Sequence, residues 1–188
     1  FEAYQGLDLL VEAAARLAAT HPEARVLVVG GAPEQVEALR AKVDARRAPV
    51  VLTGQRPPEE IPHFVDACDV LASPRISGTN TPLKIYSYLR SGRPIIATNL
   101  HTHTQVLSPE VSLLVAPEPE AFAEGLRRLI EAPAEGRALA EAAQRLARER
   151  YSREAYMGRT REAYRRLMGW SDAASRQPLA ASQRGSHS

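Results

Sequence analysis

The chain has 188 residues, a length usual for one domain around a single core, and its 44% hydrophobic and 24% charged residues are those of an ordinary soluble globular protein. No apolar run approaches the roughly 20 residues that a membrane span needs, and a net charge of +2 with a pI near 8.9 is too mild for a nucleic-acid binder. A lone cysteine, Cys68, excludes an internal disulfide framework and fits a reducing, cytoplasmic compartment.

The chain opens on Phe1 with neither an initiator Met nor a basic-then-apolar leader, which predicts that it is part of a longer protein. Phe1-Glu2-Ala3 reads as the end of a strand or the loop after it. Apolar residues at helical spacing predict a helix over Leu7 to Ala19, closed by His21-Pro22. Val26 to Val29 reads as a strand stopped by Gly30-Gly31, and Pro33 opens a helix running to about Arg47. Val50 to Thr53 is a second strand, followed by a short helix from about Pro58 to Ala67 and a strand from Asp69 to Ser73. After a loop come a helix over Pro82 to Ser91, a strand over Pro94 to Thr98 and a short strand over Ser112 to Val115. Helices are predicted for Pro119 to Glu131, Ala134 to Arg150 and Ser152 to Met168. Short β-branched runs alternating with helices predict an α/β fold, a parallel sheet with helices on both faces. The expected domain covers residues 1–170, with a Ser/Ala/Gln/Arg-rich disordered tail over 171–188. The arginines of the later helices read first as a solvated face and second as a contact for an anionic membrane surface.

Ligands of an open α/β sheet bind at the carboxyl ends of its strands. Four loops are therefore candidates: Gly30 to Pro33, Gly54 to Pro57, Pro74 to Thr81 and Thr98 to Thr104. In the third, Ser77-Gly78-Thr79-Asn80-Thr81 is small and polar and runs into Pro82. Thr81 has the chemistry of a helix N-cap and Pro82 that of a first helical position, so free backbone N–H groups there suit a diphosphate. Lys84, in the predicted first turn, complements such an anion. A plain capped helix is the competing reading. Gly30-Gly31 is not a G-x-G-x-x-G fingerprint and is read first as a tight turn needing positive φ. His101-Thr102-His103 lacks a third ligand at sensible spacing, so no metal is expected. Cys68 reads as a small, inert packing residue.

Several segments share one further likeness. Thr81-Pro82-Leu83-Lys84-Ile85 through Gly92-Arg93-Pro94-Ile95-Ile96-Ala97-Thr98 looks like a helix leading into a "GxPVVA" strand. Tyr4-Gln5-Gly6-Leu7-Asp8-Leu9-Leu10 looks like "KGxDxLxxA", and Ala67-Cys68-Asp69-Val70-Leu71-Ala72-Ser73-Pro74 like "aDvfvxPS". With Leu27 to Gly31 and Leu52 to Gln55 in the right order and spacing, the chain resembles the C-terminal domain of glycosyltransferase family 4 (group 1). These are retaining enzymes of the GT-B fold. The resemblance runs from Phe1 to about Met168 and implies a Rossmann-like, donor-binding half of a two-domain enzyme.

The resemblance implies a hexosyltransferase-type activity on a nucleotide sugar, without a metal or other cofactor and inactive in this half alone. The diphosphate would lie on Gly78, Thr79, Asn80, Thr81, Pro82, Leu83 and Lys84, the ribose near Ser87, and the base against Gly54, Gln55, Arg56 and Ile61. Gly30, Gly31 and Gln5 would complete the site, while no catalytic side chain is assigned. Two departures stand out. The family's paired glutamates, eight positions apart, are Thr79 and Ser87 here, and its phosphate-gripping Lys is Gln5. Lys84 and Arg56 are the candidate replacements. The expected partners are a nucleotide sugar and an N-terminal acceptor-binding domain outside this sequence, with peripheral membrane contact left to other parts of the protein. The lost glutamates keep open a degenerate, non-catalytic binding domain, and His101 and His103 keep open a sugar-nucleotide epimerase of the same fold.

Overall fold

A computed structural model describes residues 1–168, and the tail expected over residues 171–188 lies outside them. By internal contact the chain divides into two compact units, Phe1–Glu149 and the part from Arg150 onward.

In the first unit a 3-10 turn, Ala3–Gln5, leads to Gly6 at φ +72° and then to α1, Leu7–Leu17. Helix α1 buries Leu9, Leu10, Val11, Ala13, Ala14 and Leu17, an apolar face wide enough to pack on both α2 and α6. Strand β1 (Val26–Val28), α2 (Pro33–Arg46) and β2 (Val50–Leu52) follow. Pro33 sits in the first turn of α2, and the Gln35 side chain returns to accept from the Ala32 N–H at 3.0 Å, which fixes the helix start. Helix α3 (Ile61–Asp66), β3 (Leu71–Ser73), α4 (Lys84–Ser91), β4 (Ile95–Thr98) and α5 (His101–Thr104) come next. Then come β5 (Leu113–Val115), α6 (Pro119–Glu131) and α7 (Pro133–Tyr151), whose last two residues lie beyond Glu149.

All the strand pairs are parallel, in two ladders ordered β1-β2 and β3-β4-β5. Strand β4 is central in its ladder, and Ile95, Ile96, Ala97 and Thr98 are fully buried, as an unbroken apolar run in a doubly covered parallel sheet requires. Among the described residues no strand pairs with the second edge of β1 or of β3. Val26 and Val28 of β1 and Val70 and Ala72 at β3 nevertheless border one core, with Leu10, Ile96, Phe122 and Leu126.

The expected α/β architecture is met, with local corrections. Strand β3 begins at Leu71, not Asp69, and the segment from Pro58 splits into a 3-10 turn, Pro58–Glu60, and α3. Helix α4 begins at Lys84 with Leu83 beside its N-terminus and no capping side chain, so Thr81 is not the N-cap and Pro82 is not the first helical residue. The reason is a tighter turn ahead of the helix. The Pro82 carbonyl accepts from the Ile85 N–H at 3.0 Å and that of Leu83 from Tyr86 N–H at 3.2 Å, three residues on rather than four. Residues His101–Thr104, read as loop, form the single turn α5.

The second unit contains α8, Arg153–Leu167. Ser152 caps it by accepting from the Ala155 N–H at 3.1 Å, and no residue of α8 is buried.

Candidate functional site

Parallel strands place their carboxyl ends at one edge of the sheet, and the loops leaving them are tied together there. Gly30 N–H donates to the Gly54 carbonyl at 2.9 Å, an isolated antiparallel bridge that joins the loops after β1 and β2. Both glycines have positive φ, +113° and +68°. The segment before α1 docks on the loop after β3, where Ile76 N–H donates to the Tyr4 carbonyl at 3.0 Å. Gly6 is required for that approach, since a Cβ there would lie 1.8 Å from the Pro74 carbonyl oxygen. Arg75 completes the contact by placing its guanidinium 4.8 Å from the centre of the Tyr4 ring.

The loop from Ser77 to Leu83 is held from behind by side chains that sequence reasoning missed. The Arg75 guanidinium donates to the Asn80 carbonyl at 2.9 Å and to Thr102 Oγ1 at 3.0 Å, and the Thr102 hydroxyl donates to that same carbonyl at 2.6 Å. Gln105 Nε2 donates to the Thr79 carbonyl at 2.6 Å. Gly78 adopts φ +122°, and a Cβ there would come within 2.9 Å of Arg75 Nη1. Among the described residues the backbone N–H groups of Asn80, Thr81, Leu83 and Lys84 make no hydrogen bond. Thr81 is half-buried, Pro82 is buried, and Gly78, Thr79, Asn80 and Leu83 are exposed.

Lys84 lies at the start of α4. The residue as a whole is exposed, yet its ammonium turns inward and donates to the Ala72 carbonyl at 3.4 Å, 5.7 Å from the Tyr88 ring centre. Burial of the ammonium, then the nearby Arg75 guanidinium, lowers its pKa to about 8. Ser87 is exposed one turn further along α4. Helix α3, with exposed Ile61 at its start, packs against α4. Gln55 and Arg56 are exposed on the loop before it and make no hydrogen bond or ion pair among the described residues. Gln5 sits behind the Tyr4 contact, and its side-chain oxygen accepts from the Glu2 N–H at 3.0 Å. Gly31, at φ +92°, lies under the Phe1 ring, which a Cβ would meet at 2.4 Å.

His103 anchors this arrangement from the interior. It is fully buried; Nδ1 lies 2.8 Å from the Thr98 carbonyl, so Nδ1 carries the proton and Nε2 accepts from Ser73 Oγ at 2.8 Å. Desolvation lowers its pKa, against the opposing carbonyl bond and assisted by the charges of Lys84 and Arg75. The Thr98 hydroxyl in turn donates to the Arg75 carbonyl at 2.6 Å. A signal for this network was present in the sequence: Ser73 and Thr98, polar residues, end otherwise apolar strands. Among the described residues no group of His, Cys, Asp and Glu is placed to hold a metal. Cys68 is half-buried, its thiol 3.1 Å from the Phe64 carbonyl and raised in pKa by burial and then by Asp69.

The chain matches a known family. Residues 1–132 fit the family model described as "Glycosyl transferases group 1". The chain belongs to that family. A relative, D-inositol 3-phosphate glycosyltransferase of Corynebacterium urealyticum, is 32% identical over 174 residues, 87% of this chain and 40% of that protein. Among solved structures, HepE from Anabaena in complex with UDP superposes with a TM-score of 0.77 at 21% identity, covering 87% of this chain and 46% of that one. The C-terminal domain of the group 1 glycosyltransferase LpcC from Francisella tularensis superposes with a TM-score of 0.72 at 20% identity, covering 81% of this chain and 83% of that one. The chain therefore has the Rossmann-like fold of a C-terminal GT-B half and spans well under half the length of the inositol-phosphate relative. Among the described residues no helix is long and apolar enough to cross a membrane.

Proposed function

We propose that this chain is the donor-binding half of a retaining glycosyltransferase that moves a hexose from a nucleoside-diphosphate sugar. The observation supporting this reading is the set of unpaired N–H groups on Asn80, Thr81, Leu83 and Lys84, in the loop and first turn that lead into α4. Backbone donors aimed at a diphosphate stabilise the charge that grows on it as the glycosidic bond breaks, without a metal ion. In this reading Gly78, Thr79, Asn80, Thr81, Pro82, Leu83 and Lys84 take the diphosphate. Ser87 contributes one uncharged hydrogen bond to the ribose, and Gly54, Gln55, Arg56 and Ile61 receive the base. Gly30, Gly31 and Gln5 complete the site, and a second domain carries the acceptor. An epimerase on this fold would draw on His101 and His103 for proton transfer. Both ring nitrogens of His103 are bound inside the protein, so that alternative retains only His101.

Titration calorimetry of the chain with UDP, GDP and ADP, each with Mg²⁺ and with chelator, tests the proposal. Binding of at least one diphosphate, unchanged by chelator, is the expected result. Strict dependence on Mg²⁺ would overturn the metal-free reading, and binding of none would overturn the donor reading itself.

A further inference from the structure

The carbonyls of Thr79 and Asn80 are both engaged from one side, by α5 and the residue after it, together with Arg75. Gln105 Nε2 holds the first at 2.6 Å; Thr102 Oγ1 and Arg75 Nη1 hold the second at 2.6 and 2.9 Å. A trans peptide is planar, and its C=O and N–H point in opposite directions. Pinning the Thr79 carbonyl therefore fixes the direction of the Asn80 N–H, and pinning the Asn80 carbonyl fixes that of the Thr81 N–H. Both N–H groups point away from α5, and neither has a partner among the described residues. Exposed loops normally sample several peptide orientations. A loop starting with Gly78 at φ +122° has a further route to flip.

From this we infer that Thr102, Gln105 and Arg75 are positioning residues, which touch no ligand themselves but hold two peptide planes so that Asn80 and Thr81 present their N–H groups to the donor's diphosphate. The inference rests on the donor-site reading above and adds what fixes the loop. It also accounts for a fully buried threonine beside an exposed glutamine on one short turn. Thr102 is itself held, since it accepts from Arg75 while donating to Asn80, and the Arg75 carbonyl is held by Thr98. The site is thus organised before a ligand arrives, which lowers the ordering cost of binding.

Proton–nitrogen correlation spectra of the chain, titrated with UDP, GDP and ADP, provide a test with one signal per peptide. In the parent, the Asn80 and Thr81 amide signals move on adding the diphosphate that binds. Gln105→Leu should weaken that diphosphate about tenfold and reduce the movement at Asn80 more than at Thr81. Thr102→Val should do the reverse, and Thr102→Ser should restore the parent behaviour. Gln105 is exposed, so its variant should melt as the parent does and keeps the test decisive should Thr102→Val fail to fold. Parent-like affinity and shifts in Gln105→Leu, or an equal loss of signal across the whole loop, would overturn the positioning role. A parent that binds no diphosphate would overturn the donor reading first, a result distinguishable because the variants would then be compared against nothing.

Discussion

Lys84 carries the clearest pH signature. Its ammonium titrates at about 8 in the folded chain, from an ordinary 10.5, because burial and then Arg75 disfavour the charge. Between those two values the unfolded chain binds more protons than the folded one, so this group's contribution to stability rises with pH across that window. A diphosphate reverses the preference by attracting the charged form. Diphosphate affinity should therefore fall as pH rises through about 8, and binding near that pH should take up protons, measurable by calorimetry in buffers of different ionisation enthalpy. Lys84→Met should weaken binding about tenfold and flatten the profile; a flat profile in the parent would place Lys84 away from the ligand. The glycines split by what their added Cβ would meet. At Gly78 it meets the guanidinium end of Arg75, a flexible side chain that can shift, so Gly78→Val should loosen the clamp and weaken diphosphate binding while shifting the melting temperature by only about a few degrees. At Gly6 it meets the Pro74 carbonyl, which cannot move, and Gly6→Ala should cost about 3 kcal/mol in chemical denaturation. The loop and Lys84 were legible in the sequence because a small polar run before a helix is a local pattern. Arg75, Thr102, His103 and Gln105 were not. Their roles come from contacts 5 to 30 residues apart, such as His103 with Ser73, of which the local sequence shows only that Ser73 and Thr98 end otherwise apolar strands.

At the scale of elements, strand and helix identities were legible because apolar periodicity differs sharply between buried β4 and amphipathic α1 or α6. Boundaries slipped where backbone hydrogen bonding overrode a local signal. Thr81-Pro82 has the sequence of a helix start, but the three-residue turn from Pro82 to Ile85 delays α4 to Lys84. The short α5 was invisible because four residues give no period. Helix packing yields a paired prediction on two glycines inside helices. A Cβ on Gly125 of α6 would lie 2.7 Å from Ile96 Cδ1 and 2.9 Å from Val115 Cγ1, so α6 sits too close to β4 and β5 for any side chain there. Gly158 of α8 has nothing within 4 Å. Replacing Gly by Ala in a helix gains up to about 1 kcal/mol in propensity, whereas overpacking a buried contact costs about 1–3 kcal/mol. Gly158→Ala should therefore raise helicity by circular dichroism, and Gly125→Ala should lower the melting temperature despite the same chemical change. A stabilised Gly125→Ala would mean that α6 can lift from the sheet without loss.

At the scale of the whole molecule, two features of this chain point to a larger cooperative structure. The ladders β1-β2 and β3-β4-β5 each have a strand edge without a partner among the described residues, and Val26 with Val28 and Val70 with Ala72 bring those edges to one core. One added parallel strand would hydrogen-bond to both edges and join them into a single sheet. The chain also spans 40% of the inositol-phosphate relative, and a transfer reaction needs donor and acceptor held together in one water-excluded cleft. In the proposed reading, the loops at the strand ends supply only the donor side of such a cleft. We therefore predict that this chain alone binds a nucleoside diphosphate but transfers no sugar, whereas the protein extended on its N-terminal side transfers it and melts at higher temperature. Sugar transfer and donor hydrolysis, measured for both at matched concentration over a panel of nucleotide sugars, decide the matter. Comparable turnover by this chain would overturn the two-domain reading. An extended protein that binds nucleotide yet turns nothing over would instead favour a degenerate binding domain. Thr79 and Ser87, where the resemblance implies glutamates, are the positions to restore in that case: regained turnover in Thr79→Glu with Ser87→Glu would assign the loss to the missing carboxylates.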